Sequence, residues 1–320
     1  MLDVVLHAAS AVMVLVAVAA LGYWGGHKGW FDSKSQQMIS RIVNMALPFF
    51  LFYSVVSKFG HDELMELLKL AYLPFVTVGI SFVLSLILAQ TPLVRKEVKG
   101  VFVACFSGAT VLFVGVPMGM AMWGEVSIPY LLIYFVANCL FIWTIGLYSV
   151  QWDGVRRHGG AAPRIISMKS VKMLFSGPLI GFLGGLLVVF LAIPTPETVM
   201  MATRIIGQMA TPLALVFIGL TVYQVGFSKF AHLPREIWLI LLSCFVLRPL
   251  AMYLCSMPLE MDRMMRQVFI LASALPVSSI IAVMARHHGA DSEFVSEAVG
   301  VTTVGILFVM PILLVLVNFI

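Results

Sequence analysis

Apolar residues fill one window after another of about 20 positions, the length that carries an α-helix across roughly 30 Å of hydrocarbon. Polar and basic residues collect between the windows. The pattern predicts ten spans, at about 4–24, 36–57, 68–89, 100–123, 127–150, 173–193, 198–223, 236–256, 265–286 and 294–318. A lipid-exposed backbone must satisfy its own hydrogen bonds, so these spans are expected to be helices. The fold class is an all-α polytopic membrane protein, and no large soluble domain fits in what remains. The first span has neither a basic leading region nor an evident small-residue cleavage site, so it is expected to be retained.

Composition agrees with this pattern. The chain is 61% hydrophobic and only 11% charged, with a mean hydropathy of +1.03, well outside the range of soluble domains. Positive charge sets the expected orientation. Lys28, Lys34, Arg41, Arg95, Lys96, Lys99, Arg156, Arg157, Arg164, Lys169, Lys172, Lys229, Arg235 and Arg286 fall on one side. Only Lys58, Lys69, Arg204, Arg263 and Arg266 fall on the other. The first side is expected to be cytoplasmic, with both termini outside and the protein in the plasma membrane, the inner membrane of a bacterium. The net charge of +5 mostly reflects this bias and is no sign of nucleic-acid binding. Cys105, Cys139, Cys244 and Cys255 lie inside spans without CxxC spacing, so neither a disulfide framework nor a metal site is expected. The methionines are read as adaptable packing. His287 and His288, with Asp291 and Glu293, are read as a solvated turn.

The long basic loop at 151–172 separates five spans (1–150) from five (173–320). Because five is odd, a second copy of the first half enters the membrane inverted. Weak internal similarity supports this repeat. Ser40-Arg41-Ile42 and Met45-Ala46-Leu47-Pro48 correspond to Thr203-Arg204-Ile205 and Met209-Ala210-Thr211-Pro212, and Val101-Phe102 to Val268-Phe269. The last match places Ser107-Gly108-Ala109-Thr110 opposite Ala274-Leu275-Pro276-Val277-Ser278-Ser279, both about 15 Å from the ends of their spans and hence at mid-depth. Gly and Pro interrupt helices, so two half-helices are expected to begin near the bilayer centre. Their N-termini suit an anion such as a carboxylate, and Thr110, Ser278 and Ser279 can cap those ends or donate to a ligand. Pro48, Pro212, Pro249 and Pro311 are read as kinks.

The same residues resemble the auxin efflux carrier family, which includes plant carriers and bacterial transporters of malate, malonate and similar acids. The resemblance runs through Leu21-Gly22-Tyr23, Lys28-Gly29-Trp30-Phe31-Asp32 and Ala46-Leu47-Pro48, then Gly115-Val116-Pro117. It continues through Leu275-Pro276, Ala285-Arg286, Gly289-Ala290-Asp291 and Pro311. It implies a 5+5 inverted repeat whose fourth and ninth helices are broken and cross at a central substrate site. Helices one, two, six and seven would form a scaffold that dimerises, and the rest a moving transport domain. Carried over by position, the site residues are Thr110, Asn138, Pro276, Val277 and Ser278, to which the interrupted stretches themselves add Gly108 and Ser279. This chain departs from the family at the first crossing. Ala109-Thr110-Val111 stands where relatives read Asn-Thr-Gly or Pro-Asn-Thr, which leaves fewer polar groups there.

Polar groups inside a bilayer are costly and need a partner or a purpose. Arg248 stands about 12 residues into the eighth span with no acid at comparable depth. It either binds the carboxylate through a two-pronged contact or bonds to freed backbone carbonyls. Asn138 either contacts substrate or bridges helices. Every Asp and Glu falls in a loop or within a turn or so of a span end, so a mid-membrane carboxylate relay is missing and uniport or exchange is expected. Gly22, Gly25 and Gly26, with Gly181, Gly184 and Gly185, permit close or sliding helix contacts. The expected function is secondary transport of a small organic anion, with no cofactor and no catalysis. The alternatives are a sodium-coupled bile-acid-type symporter, which would want polar or acidic Na⁺ ligands, and a membrane receptor or enzyme.

Overall fold

The computed structural model describes residues 2–58, 60, 65, 67, 69–159, 162, 163, 176–226 and 233–317. Arg164, Lys169, Lys172 and Lys229, used above for orientation, lie outside the described residues. Nearly everything described is helical. The helices are α1 (Leu2–His27), α2 (Ser33–Lys58), α3 (Tyr72–Gln90), α4 (Lys99–Ser107), α5 (Val116–Trp123), α6 (Ile128–Phe141), α7 (Leu147–His158) and α8 (Gly177–Phe190). They continue with α9 (Glu197–Gln208), α10 (Ala210–Val225), α11 (Arg235–Leu242), α12 (Arg248–Ser256), α13 (Arg263–Ser273), α14 (Ile280–His287) and α15 (Ser292–Val317).

Among the described residues, six stretches can cross a membrane by length and composition: Lys34–Lys58, Tyr72–Gln90, Val111–His158, Glu197–Gln224, Arg235–Ser256 and Ser292–Val317. Shorter apolar helices run over Met13–His27 and Gly177–Phe190. Wide π-type turns at Val111–Gly115, Ile142–Gly146 and Ser243–Leu247 lead into α5, α7 and α12. Such turns free backbone groups locally and recur at functional sites.

Two packed groups of helices stand out. In the first, α1 lies against α10 and α8 against α2, with α9 also on α2. The contacts are backbone to backbone. A Cβ on Gly219 would sit 1.7 Å from the Ala19 carbonyl oxygen, one on Gly22 2.0 Å from that of Val216, and one on Gly181 2.1 Å from that of Pro48. The predicted glycine pattern is therefore used for close contact between helices of one group, while Gly25 meets its own chain at Phe31 and a Cβ on Gly184 would make only ordinary contact with Phe52. The second group gathers α3 to α7 with α11 to α14, and α15 touches both groups.

The loop expected to begin at 151 is instead helical as far as His158, and tertiary bonds explain the extension. Asp153 is fully buried and its Oδ2 accepts from Val101 N–H at 2.7 Å, tying α7 to the first turn of α4. A carboxylate there also complements the positive end of that helix. Gly154 lets the turn after α14 approach, since a Cβ would stand 1.9 Å from the His288 carbonyl oxygen. One turn on, Arg157 Nη2 donates to Asp291 Oδ2 at 2.7 Å. Burial pushes the Asp291 carboxyl up, but the Phe294 N–H and Arg157 outweigh it and hold it below the ordinary carboxylate range. The start of α13 is fastened in a matching way, with Gln267 Nε2 donating to the Val317 carbonyl at 3.1 Å and Asp262 Oδ2 accepting from Met265 N–H.

Candidate functional site

α4 ends at Ser107, and Gly108 is extended at φ −86°, ψ 135°. α13 ends at Ser273, and helix resumes only at Ile280. The two extended stretches lie side by side, forming an antiparallel bridge between Ala109 and Val277 in which Thr110 N–H donates to the Pro276 carbonyl at 2.9 Å. Gly108 is required for this approach: a Cβ would meet Ala104 O at 2.8 Å and Ile281 Cδ1 at 3.0 Å.

Interrupting two helices leaves backbone groups that a buried site must satisfy. Asn138 on α6 serves Ala109 twice, accepting from its N–H through Oδ1 at 2.8 Å and donating through Nδ2 to its carbonyl at 2.6 Å. Thr302 on α15 does the equivalent for the other stretch, its Oγ1 accepting from Val277 N–H at 3.1 Å. Ser243 donates to the Phe106 carbonyl at 2.7 Å. Arg248, 2% exposed, donates from Nη2 to the carbonyl of Leu275. Each peptide arm is thus held by the second helix after it, α6 for the first and α15 for the second, and Arg248 grips the second arm just before Pro276.

The expected capping by hydroxyls does not occur. Neither Thr110 nor Ser279 closes a side-chain cap on the helix it precedes. The Ile281 and Ala282 N–H groups instead turn back onto the Ser278 and Ser279 carbonyls at 3.1 Å. The hydroxyls face a cavity of about 430 Å³, lined by Thr110, Asn138, Ser278 and Ser279 on the crossing side. The opposite wall is α2, through Gln36, Gln37, Ser40 and Asn44, and aromatic rings of Phe113, Phe135, Trp143 and Phe217 close the sides. Among the described residues, no charged side chain lines this space. An adjoining cavity of about 400 Å³ shares Gln36, Thr110 and Ser279, adds Val277, and reaches Arg286 and Glu297.

Of the residues predicted from sequence, Thr110, Asn138, Ser278 and Ser279 therefore meet at one cavity, with Val277 on its neighbour. Gly108 and Pro276 shape the crossing without lining either space, and Arg248 lies behind it. The polar face of α2 was missed, although Gln36, Ser40 and Asn44 recur every four residues along one side of the helix. Part of that face is internally bonded: Gln36 Nε2 donates to Thr221 Oγ1 at 2.9 Å, and Asn44 Nδ2 to the Ser40 carbonyl at 2.9 Å.

Two relatives match over most of their length. A putative malonate transporter of Rhizobium meliloti is 24% identical over 270 residues, which cover 82% of this chain and 80% of that one. An uncharacterized transporter of Methanocaldococcus jannaschii is 20% identical over 309 residues, 94% of this chain and 96% of the other. The family model described as membrane transport protein matches residues 7–314, and with that match across the crossing and both groups of helices the chain belongs to this family, that of the auxin efflux carriers.

Proposed function

We propose that this transporter carries small organic anions, mono- or dicarboxylates of the malate and malonate kind, by elevator-type alternating access. The observation that carries the reading is the pair of interrupted helices, α4–α5 and α13–α14, bonded at Ala109, Thr110, Pro276 and Val277 beside a cavity with free hydroxyls. Helix N-termini directed at mid-depth give an anion a favourable seat without a fixed charge in the wall. The name of the Rhizobium relative points to the same substrate class.

In this reading the chain makes ten passes as a 5+5 inverted repeat in the plasma membrane. The group of α1, α2, α8, α9 and α10 is a static, dimerising scaffold, and the crossing rides in the other group. Movement of that unit past α2 exposes the cavity to one side and then the other. With no acid among the described residues of this cavity wall, uniport or exchange is the expected mode.

Uptake of labelled malonate, malate and an indole-bearing acid into proteoliposomes tests the proposal. Saturable uptake of the small acids is expected, reduced at least tenfold by Ser278→Ala combined with Thr110→Val. Failure of every small acid to enter overturns it, and strict dependence on Na⁺ would favour a sodium-coupled symporter.

A further inference from the structure

Arg248 is the one side chain of the second helix group whose charge is fully buried and unmatched by an acid among the described residues. The other buried ionisable groups are accounted for. Asp153 faces Val101 N–H and Arg156, and Glu236 pairs with Arg95 at 2.7 Å. Around Arg248 the electrostatic neighbours are the phenol of Tyr134 and the thiol of Cys244. Nη2 is bonded to the Leu275 carbonyl, while Nε and Nη1 are buried and meet no acceptor among the described residues. A guanidinium carries a permanent charge, and an unpaired one is expensive deep in a membrane protein. Packing alone does not explain it, since an apolar residue would fill the space between α12, α13 and α3 more cheaply.

Its position supplies the reason. Leu275 is the residue before Pro276, so the charge is fastened by a hydrogen bond to the arm that forms the anion seat. It lines neither cavity, so in this arrangement it does not grip the cargo directly. We propose that Arg248 is the fixed counter-charge of the mobile unit, and that the cargo is carried with a single net negative charge. A dicarboxylate is then carried in its singly protonated form. The proposal rests on the carrier reading above. The empty unit bears one positive charge as it moves, the unit loaded with a monoanion bears none, and a loaded dianion leaves one negative charge. Only the monoanion complex crosses the low-dielectric barrier neutral. The residue is a positioning group for Leu275 and an electrostatic partner at a distance.

One elementary charge moved through a full membrane potential of about 100 mV shifts an equilibrium about 50-fold, so the charge on each step is measurable. The probe is malonate, at a pH acid enough for its singly charged form to dominate, in proteoliposomes with an imposed K⁺ diffusion potential. Exchange of labelled for unlabelled malonate uses only the loaded step, whereas net uptake also needs the empty return. For the wild type, exchange is expected to change less than twofold with potential while net uptake changes severalfold. Arg248→Lys keeps the charge and is expected to behave as the wild type. Arg248→Gln keeps a donor for Leu275 but not the charge, and its exchange is expected to fall severalfold as the potential grows. Wild-type exchange as voltage-sensitive as net uptake overturns the counter-charge whether or not the variants fold. So does voltage-insensitive exchange in Arg248→Gln. Absence of any organic-anion transport would remove the carrier reading itself, a different outcome.

Discussion

Asn138 commits both ends of its carboxamide to Ala109, and this decides what its substitutions should do. Asn138→Leu leaves a buried N–H and a buried carbonyl unpaired, at about 1–3 kcal/mol each. The expected result is a clear fall in the melting temperature of detergent-purified protein together with loss of uptake. Asn138→Asp keeps an acceptor for the Ala109 N–H but loses the donor to its carbonyl and puts a negative charge in the cavity wall. It should weaken apparent affinity for the small acids at least tenfold with a smaller loss of stability. A pair of variants that lowered stability equally and left affinity alone would assign Asn138 to structure only. Much of this was legible in the sequence, because a lone Asn in an apolar span must find a partner. What the sequence left open was which partner: the structure shows Asn138 bridging to Ala109 while also lining the cavity. Thr302, its counterpart, was not legible, since Thr packs between helices without a polar partner as readily as with one.

At the scale of elements, the interruptions at Gly108–Thr110 and Ala274–Ser279 follow from residue chemistry, and the sequence pointed to both stretches. The second contains a proline and the first does not, yet both are non-helical. A Cβ-free residue and an amide from α6 accomplish at Ala109 what Pro276 does by lacking an N–H. The glycine pattern was less informative. Six glycines at matching places suggested close or sliding helix contacts, but which face of a helix meets a neighbour depends on tertiary packing, and Gly219 and Gly207, outside that pattern, also make close contacts. Gly219→Ala forces α1 and α10 apart, because the new methyl would lie 1.7 Å from the Ala19 carbonyl oxygen. Overpacking of this kind costs about 1–3 kcal/mol or more, and a melting temperature several degrees lower is expected. Gly184→Ala is the control: its methyl would meet Phe52 Cδ2 at an ordinary 3.8 Å and raise helix propensity, so stability should hold or rise. Equal effects of the two would mean that these backbone contacts do not govern the stability of the helix group.

For the molecule as a whole, the question is from which side the crossing can be reached. The polar wall of its cavity is the first third of α2, from Gln36 to Asn44, and the adjoining cavity ends at Arg286. The far end of α2 lies about 33 Å away at 1.5 Å per residue. There Lys58 Nζ meets Glu125 Oε2 at 3.1 Å, tying α2 to the turn before α6, and a separate cavity of about 500 Å³ is lined by Lys58, Lys69, Glu260 and Asp262. The cavity lies toward the start of α2, the face richer in Lys and Arg, and the charge bias predicts that this face is the cytoplasmic one. Cysteine labelling tests this directly. Cys139 lines the same cavity and is replaced first by Ser, after which Ser40→Cys places a thiol on the wall facing Thr110 and Ser278. A membrane-impermeant maleimide should modify it in inside-out vesicles and not in right-side-out cells. Malonate should slow the reaction severalfold by occupying the space or by shifting the population away from this state. Labelling from the outer face alone would reverse the orientation that the charge bias predicts. Labelling that malonate leaves unchanged would separate this cavity from the substrate path.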